Sequence, residues 1–294
     1  MEAPIPILHS AVTIMTPLLL AASGGLFTER AGMLNIALEG LLLIGAFAAL
    51  VGVRFSGSLL IGTIAGILGA VTLAGILGFF TLRLKSNGFI TGLAANLFAS
   101  GLTVVLSYRL FATRGVVVLP DPPRLKTLGI PGFPKVPILW DIAMNHVWYV
   151  YGSWALLFLC WFVLYKTPFG FRLRACERHA EALISLGLRP DAYRFIGFLI
   201  SGFTCGIGGS FLTLNLGVFV PNISAGKGWI ALVVIFLGNR HPGGIFIAAL
   251  IFALAEAFSN YAQGGLNLPR DFILAIPYIF TLFVLVGVSI LSGR

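Results

Sequence analysis

The sequence predicts an all-α integral membrane protein with about eight to ten transmembrane helices. Hydrophobic residues make up 58% of the 294 residues and charged residues only 10%, and the mean hydropathy is +1.00. A soluble domain has roughly 25% charged residues, so this chain could not cover a water-facing surface. Its apolar residues are grouped into stretches of about 20, the length that crosses a bilayer as a helix. Helices are required because a backbone exposed to lipid must satisfy its own hydrogen bonds.

Nine apolar stretches, taken in order, account for most of the chain. They cover approximately 6–26, 34–53, 59–82, 88–111, 148–165, 195–214, 229–238, 243–260 and 271–292. The seventh is too short to cross alone unless residues from about 222 onward join it. The N-terminal MEAPIPILHS has no Lys or Arg and hence no basic n-region, which indicates a retained span rather than a cleaved signal. We therefore expect one transmembrane domain over residues 1–294.

Two longer connections separate the spans. The first, about 112–147, is rich in proline and is expected to form an ordered external loop. The second, 166–194, carries six Lys or Arg residues and is expected to be cytoplasmic. This placement puts eleven of the 19 Lys and Arg residues inside and eight, Lys227 among them, outside. The side of the N-terminus stays open, because nine spans would place it outside, whereas one segment that only dips into the membrane would place it inside.

Composition and spacing also exclude several functions. The net charge of +9 is better explained by basic cytoplasmic loops than by nucleic-acid binding. The four histidines and three cysteines show no metal-ligand or redox spacing. There is no Ser-His-Asp order, no paired carboxylates and no phosphate-binding glycine loop. We expect no catalytic residue, no metal site and no bound cofactor, and hence a protein that is not itself an enzyme.

A short internal repeat favours a transporter. AGMLNIAL at Ala31–Leu38 and AGKGWIAL at Ala225–Leu232 match at five of eight positions without a gap. The first begins on the predicted inner side and the second on the predicted outer side, the arrangement of inverted-topology repeats. The alternative is chance, since Ala, Gly, Ile and Leu are the commonest residues in this chain.

Polar residues near membrane depth are few, and they are candidates for a substrate path. Asn96 and Ser100 share one face of the fourth stretch, because they are four residues apart. The full set is Asn35, Glu39, Asn96, Ser100, Asn215 and Asn222. Hydrogen bonding between helices is an equally good interpretation of these residues. Glu256 lies near the predicted outer end of the eighth stretch, where a solvated helix end is favoured.

The connection 166–194 has the pattern of one or two short amphipathic helices. Pro168 ends the preceding span, and Gly187 and Pro190 end the helical pattern. Apolar residues between Arg172 and Leu188 alternate with charges of both signs. That mixture suits a groove on another protein better than a lipid surface.

Two motifs in the chain resemble those of a known family. Glu181-Ala182-Leu183-Ile184-Ser185-Leu186-Gly187 is similar to the EAA motif of ABC importer permeases, Glu-Ala-Ala, three residues and Gly, with Leu183 in place of the second Ala. More specifically, Thr28-Glu29-Arg30-Ala31-Gly32, followed by Asn35-Ile36-Ala37-Leu38-Glu39-Gly40, resembles the branched-chain amino acid/ribose-type permease family, in its nucleoside and simple-sugar uptake branch. The resemblance covers nearly the whole chain.

The resemblance implies a type II-importer-like permease fold with inverted halves. It also implies three protein partners: a homologous second permease subunit, a cytoplasmic ABC ATPase and an extracytoplasmic substrate-binding lipoprotein. ATP and Mg²⁺ would then be bound by the ATPase, and the chain would lie in the bacterial inner membrane. The residues expected to contact the ATPase are Arg172, Arg174, Glu177, Arg178, His179, Glu181, Ala182, Leu186 and Gly187.

The expected substrate is a neutral, nucleoside-like solute, with riboflavin or a simple sugar as alternatives. The competing function is an ion-coupled secondary transporter in which Glu39 or Glu256 carries the proton or binds the ion. That function would account for the acids, but it leaves the long polar connection 166–194 unexplained.

Overall fold

The computed structural model describes residues 4–119, 125–128 and 144–265, which form ten α-helices and four short strands. Each strand has two residues. The helices are α1 Pro4–Arg30, α2 Leu38–Ser56, α3 Leu59–Leu82, α4 Gly88–Phe111, α5 Trp148–Lys166, α6 Pro168–Arg178, α7 Ala180–Ser185, α8 Pro190–Leu216, α9 Lys227–Leu237 and α10 Pro242–Gly265. The strands are β1 Val117–Val118, β2 Thr127–Leu128, β3 His146–Val147 and β4 Val218–Phe219.

Seven of the described helices are long and apolar enough to cross a membrane: α1, α2, α3, α4, α5, α8 and α10. They correspond to the first six predicted stretches and the eighth, and this confirms the predicted class of fold. The seventh stretch forms α9, which has only 11 residues. The ninth stretch, 271–292, lies outside the described residues.

Local sequence signals explain where several of these helices begin and end. Asn87 caps α4, because its side-chain oxygen accepts hydrogen bonds from the backbone N–H groups of Phe89 and Ile90. Pro190 occupies the first turn of α8, where a missing N–H costs nothing. Gly57 ends α2 with φ of +68°, a left-handed conformation that favours glycine.

The direction of the spans follows from contacts at their ends. Arg30, at the end of α1, donates to the backbone oxygen of Arg240, and Arg194 near the start of α8 donates to the backbone oxygen of Ala31. The inner end of α1 therefore lies beside the connection 166–194. Since the five spans α1 to α5 precede that connection, the start of α1 lies on the opposite, outer face. Basic residues around the connection identify its face as cytoplasmic.

Strand pairs join segments on the outer face. β1 pairs antiparallel with β4, so that Val117 lies opposite Phe219. β2 pairs antiparallel with β3, so that Thr127 lies opposite Val147. The expected external loop, about 112–147, is thus tied both to the segment after α8 and to the start of α5. Residues 120–124 and 129–143 of this loop lie outside the described ranges.

The core lies where α1, α2, α3 and α8 pack together. The most apolar part of α1 is 89% buried, whereas that of α4 is only 22% buried and presents apolar side chains outward. Glycines let the backbones of α2, α3 and α8 approach closely. A Cβ on Gly206 would lie 2.6 Å from Cα of Ile67, and one on Gly209 would collide with the carbonyl oxygen of Leu42. The interior is therefore packed backbone to backbone.

We expect Gly209→Ala to destabilise the protein by about 1–3 kcal/mol, because the added methyl group overpacks the contact between α8 and α2. The matched control is Gly101→Ala, a glycine within α4 that has no atom within 4 Å of the position of a Cβ. Alanine there should be neutral or stabilise by about 0.5–1 kcal/mol through its helix propensity. Unfolding of both variants in detergent is the measurement. Equal destabilisation by the two substitutions would contradict the proposed close packing.

Candidate functional site

The cytoplasmic connection folds into two helices, α6 and α7, that meet at His179. Thr167 precedes α6, and its side-chain oxygen accepts a hydrogen bond of 3.3 Å from the N–H of Gly170. Pro168 takes the first helical position, where proline is well tolerated. After α7, Gly187 adopts φ of +74° and reverses the chain toward α8.

α6 is anchored against the inner ends of the spans. Leu173 and Cys176 are fully buried on its inward face. Arg194 of α8 donates from Nη2 to the backbone oxygen of Cys176 over 2.9 Å and from Nε to that of Ala31 over 3.3 Å. Burial raises the pKa of the Cys176 thiol, so this cysteine stays protonated at neutral pH. α6 is therefore a fixed element of the inner face.

Arg240 holds three parts of the inner face together. This residue lies in the turn between α9 and α10, and its Nη2 is 2.8 Å from Oε1 of Glu29 at the end of α1. Its Nη1 is 3.4 Å from Oε1 of Glu177 on α6. Its backbone oxygen accepts two hydrogen bonds from Arg30, of 2.9 and 2.6 Å. Charged contacts thus link α6 to α1 and to the α9–α10 turn.

α7 presents a largely exposed surface to the cytoplasm. Leu183 is buried and attaches the helix, whereas Ile184 and Leu186 are 61% and 75% exposed. Glu181 and Ala182 are also exposed, as is Gly187 just beyond the helix. Apolar side chains this exposed, within reach of charges of both signs, are typical of a surface that another protein covers.

The residues predicted to contact the ATPase therefore form two groups. Arg174 lies over the rings of Tyr165 and Phe171. Glu177 is paired with Arg240. Both side chains are therefore engaged within the chain. The outward group is exposed: Arg172, Arg178, His179, Glu181, Ala182, Leu186 and Gly187. Arg172 also donates a 3.2 Å hydrogen bond to the hydroxyl of Tyr193.

α9 crosses only about half of the membrane. Its 11 residues span about 16 Å at 1.5 Å per residue, against about 30 Å for the hydrocarbon core. Because its C-terminal end lies next to Arg240 on the inner face, Lys227 at its start lies near mid-depth. The segment 217–226 descends to this depth from the outer end of α8. It contains strand β4, which is followed by turns. Residues from 222 onward thus do not extend α9 into a full span, and Lys227 does not lie in an outer loop as predicted.

Glu39, at the beginning of α2, binds the N-terminus of α9. Its Oε1 accepts hydrogen bonds from the hydroxyl of Ser224, at 2.6 Å, and from the N–H of Gly226, at 2.8 Å. Its Oε2 accepts the N–H of Gly228, at 2.7 Å. These N–H groups have no partner within their own helix, and the helix dipole favours a negative charge there. The carboxylate is stabilised where an ionised acid in the membrane would otherwise be costly.

Two asparagines brace the turn between α1 and α2. Asn35 donates to the hydroxyl of Ser201 on α8 over 2.9 Å, and its oxygen accepts the N–H of Ala37. Asn96 on α4 donates to the backbone oxygen of Ile36 over 2.9 Å and accepts the N–H of Gly40 over 2.7 Å. Hydrogen bonding between elements, one of the two interpretations of these residues, is thus observed. We name Glu39, Asn35, Asn96 and the N-terminus of α9 the mid-membrane cluster.

The other predicted path residues lie apart from the mid-membrane cluster. Ser100 is half-buried one turn farther along α4 than Asn96. Asn215 is exposed at the outer end of α8. Asn222 is exposed in the descending segment, with φ of +63°. Ser100, Asn215 and Asn222 therefore take no part in the hydrogen bonds of the mid-membrane cluster.

Lys227 and Glu256 form an ion pair within the membrane. Their Nζ and Oε1 atoms are 2.7 Å apart, and the two side chains are 12% and 27% exposed. The expectation that Glu256 is a solvated helix end is wrong, because α10 continues for nine residues beyond it to Gly265. The pair is neutral as a whole, which lowers the cost of placing each charge at this depth.

The two matching octapeptides meet at this site, but they differ in conformation. Ala31–Leu38 is mostly turn between α1 and α2, whereas Ala225–Leu232 is mostly the helix α9. The first rises from the inner face. The second descends toward it from mid-depth, and not from the outer side as expected. They run in opposite directions and are linked by the bonds from Ser224, Gly226 and Gly228 to Glu39.

The sequence did not single out Arg240 or Ser201 as site residues. Arg240 was counted only as an inner charge, and Ser201 is a common residue type in an apolar stretch. Hydrogen-bonded partners in the site are far apart in the chain, 166 residues for Asn35 with Ser201 and 185 for Glu39 with Ser224. Only the fold brings them together. Across the described ranges there is also no group of three or more His, Cys, Asp or Glu residues that could hold a metal ion.

Comparison with known proteins identifies the family. The model of the family described as "Branched-chain amino acid transport system / permease component" matches residues 7–289. The chain belongs to this family. It is therefore a transport permease, a multi-pass protein of the bacterial cell membrane. The resemblance stated from the motifs is confirmed.

Two curated relatives match nearly the whole chain. A guanosine ABC transporter permease of Bacillus subtilis, NupQ, is 33% identical and is aligned over 96% of this chain and 91% of its own length. A nucleoside ABC transporter permease of Lactococcus lactis, NupC, is 29% identical over 92% of this chain and 88% of its own.

A solved structure supports the fold. It is described as a metal-chelate type ABC transporter in an inward-facing conformation. The similarity covers 97% of this chain and 86% of that one, with a TM-score of 0.52 and 17% identity. At this identity the similarity concerns the fold alone, which is that of an ABC transporter permease.

We expect Glu256→Gln to destabilise the permease by about 3 kcal/mol, because Lys227 is left charged and unpaired within the membrane. Lys227→Met should have a similar effect by leaving the carboxylate alone. The double variant Lys227→Met/Glu256→Leu should recover most of the lost stability, since neither charge remains. Unfolding in detergent gives all three values. A double variant that is no more stable than the single ones would contradict a mutual compensation of charge.

Proposed function

We propose that this chain is the permease subunit of an ATP-driven ABC importer for nucleosides. The observation that carries the proposal is the 33% identity to a guanosine ABC permease over 96% of this chain. The importer would consist of this chain, a homologous second permease, a cytoplasmic ATPase and an extracytoplasmic substrate-binding lipoprotein. ATP and Mg²⁺ would be bound by the ATPase, and this chain would supply the path and the docking surface.

The docking surface for the ATPase is the exposed side of α6 and α7. This surface combines exposed apolar residues, chiefly Ile184 and Leu186, with exposed charges of both signs at Arg178 and Glu181. Leu173, Cys176 and Leu183 anchor the two helices from behind. A rigid element with an adaptable outer surface is suited to carry the motion of a partner into the membrane domain.

The state of the intramembrane charges supports a neutral substrate. Glu39 is compensated by the N-terminus of α9, and Lys227 by Glu256. A charged solute would need an uncompensated opposite charge at this depth, and the mid-membrane cluster supplies none. Nucleosides are neutral and offer several hydrogen-bonding groups, as riboflavin and simple sugars do. Between these, the relatives named for guanosine and nucleosides favour nucleosides.

The same contacts disfavour ion-coupled secondary transport. A coupling acid must gain and lose a proton or an ion during each cycle. Both carboxylate oxygens of Glu39 accept hydrogen bonds, and Glu256 is paired with a lysine. Both acids are thus engaged by contacts within the chain. The energy for transport would therefore come from the ATPase.

Vesicles of the native membrane, which retain the chain with its partners, test the energy source. We expect uptake of radiolabelled guanosine when ATP is present on the cytoplasmic side of the membrane. Uptake should continue after a protonophore removes the proton gradient. Unlabelled adenosine should compete, whereas glucose and riboflavin should not. Vesicles from a strain that lacks this chain are the control.

Uptake driven by a proton gradient without ATP would overturn the proposed mechanism. Competition by glucose or riboflavin with no competition by nucleosides would overturn the substrate class and leave the mechanism standing. A thermal-shift screen of the lipoprotein against guanosine, adenosine, glucose and riboflavin gives an independent measure of the substrate.

We expect Gly187→Arg to abolish co-purification of the ATPase with the permease, because a bulky charge enters the docking surface. Gly57→Arg is the matched control. Both glycines have positive φ, +74° and +68°, and neither has an atom within 4 Å of a Cβ position, but Gly57 lies on the outer face. The backbone strain is thus equal in the two variants. Glu181→Arg should also lose the ATPase while the permease remains inserted. Normal co-purification of the ATPase with both inner-face variants would contradict the docking role of α7.

A further inference from the structure

A cavity of about 750 Å³ lies at the cytoplasmic edge of the membrane, between the inner end of α3 and the start of α8. α7 forms part of its cytoplasmic side. The lining includes Phe79, Leu82, Arg83, Ile184, Arg189 and Phe195. The mid-membrane cluster does not contribute to this cavity, and Ile184 is the residue that the cavity shares with the docking surface assigned to the ATPase.

Two arginines stand at the depth of lipid headgroups. Arg83 directly follows the last residue of α3, and Arg189 directly precedes the first residue of α8. Both are exposed, and neither guanidinium makes a hydrogen bond or ion pair with the residues that the structure describes. The carboxylate of Asp191 also lines the cavity, but Nη1 of Arg194 lies 3.2 Å from it and offsets its charge. The rim is therefore positively charged.

The walls of the cavity are mostly apolar and continue into the lipid-facing side of α3. Phe79, which lines the cavity, is 51% exposed, and Phe80 and Ile76 next to it are 44% and 49% exposed. Phe195 of α8 contributes the opposite wall. An apolar groove that opens to lipid and ends at two unpaired arginines is complementary to a phospholipid, which has apolar acyl chains and a negatively charged phosphate.

We propose that this cavity binds an anionic phospholipid of the inner leaflet. The phosphate and its anionic headgroup lie between Arg83 and Arg189, and an acyl chain follows the wall formed by Phe79 and Phe195. Basic pockets between transmembrane helices on the cytoplasmic side are suited to anionic headgroups, and each Lys or Arg there contributes about 1 kcal/mol. The charge of the rim selects against zwitterionic lipids.

A lipid in this cavity would join α3 to the docking segment. Ile184 belongs to α7 and lines the cavity, so the bound lipid contacts α7 as well as α3 and α8. α7 has few other attachments, since Leu183 is its only buried residue among those described. The lipid would thus steady the element on which the ATPase docks. The continuity of the walls with the lipid-facing surface of α3 favours a lipid over a segment of the ATPase.

The test measures lipid retention by the purified, full-length permease in native mass spectrometry. We expect the wild-type chain to retain phosphatidylglycerol in preference to phosphatidylcholine. Arg83→Gln and Arg189→Gln should each weaken retention about fivefold, which corresponds to about 1 kcal/mol per arginine. The matched control is Arg54→Gln/Arg109→Gln, which removes two exposed arginines from the outer face and should leave retention unchanged.

A second variant tests the apolar part of the site. Ala192→Trp fills the cavity while leaving both arginines in place, and it should lower the retention of phosphatidylglycerol. Equal retention of the two lipids by the wild-type chain would overturn the proposal. So would full retention by the Arg83→Gln/Arg189→Gln variant. Displacement of the lipid by an equal concentration of inorganic phosphate would show a site for anions alone, which also overturns it.

Discussion

The hydrogen bonds between Glu39 and the N-terminus of α9 are the interaction on which the membrane half of this structure depends. An 11-residue helix that begins near mid-depth leaves backbone N–H groups in a region without water. The carboxylate of Glu39 satisfies two of them, at 2.8 and 2.7 Å. The acid in turn needs those donors, because an ionised carboxylate at this depth is otherwise costly. Each feature is stable only in the presence of the other, and α2 and α9 are therefore held as one unit.

α9 also connects this unit to the cytoplasmic face. Its N-terminus binds Glu39 and its C-terminal end leads into the turn of Arg240, which contacts Glu29 and Glu177. α6 is therefore linked to mid-depth through one short helix of about 16 Å. This helix has charged contacts at its inner end and hydrogen bonds at its other end. It joins the proposed docking surface for the ATPase to the mid-membrane cluster.

Hydropathy alone was enough to locate the seven spanning helices among the described residues, because each is a run of apolar residues with recognisable ends such as Asn87 and Gly57. It also showed that the seventh stretch is short. Hydropathy could not show that Lys227 pairs with Glu256, since each residue stands beside apolar stretches and the pairing depends on how far segment 217–226 descends. Hydropathy likewise could not show what Asn35 and Glu39 bind, although their polarity marked both residues as candidates. Their partners, Ser201, Ser224 and two backbone N–H groups, carry no pattern that sequence could reveal.

The half-length of α9 has a consequence for how the protein is made. An 11-residue helix that starts with a lysine is too short for the insertion machinery to recognise as a span. Its entry into the bilayer must follow the synthesis of α1 to α8, which bring Glu39 into place. Glu256 emerges from the ribosome only afterwards, so Lys227 waits without its counter-ion until α10 is threaded. The order of residues along the chain is thus also an order of assembly.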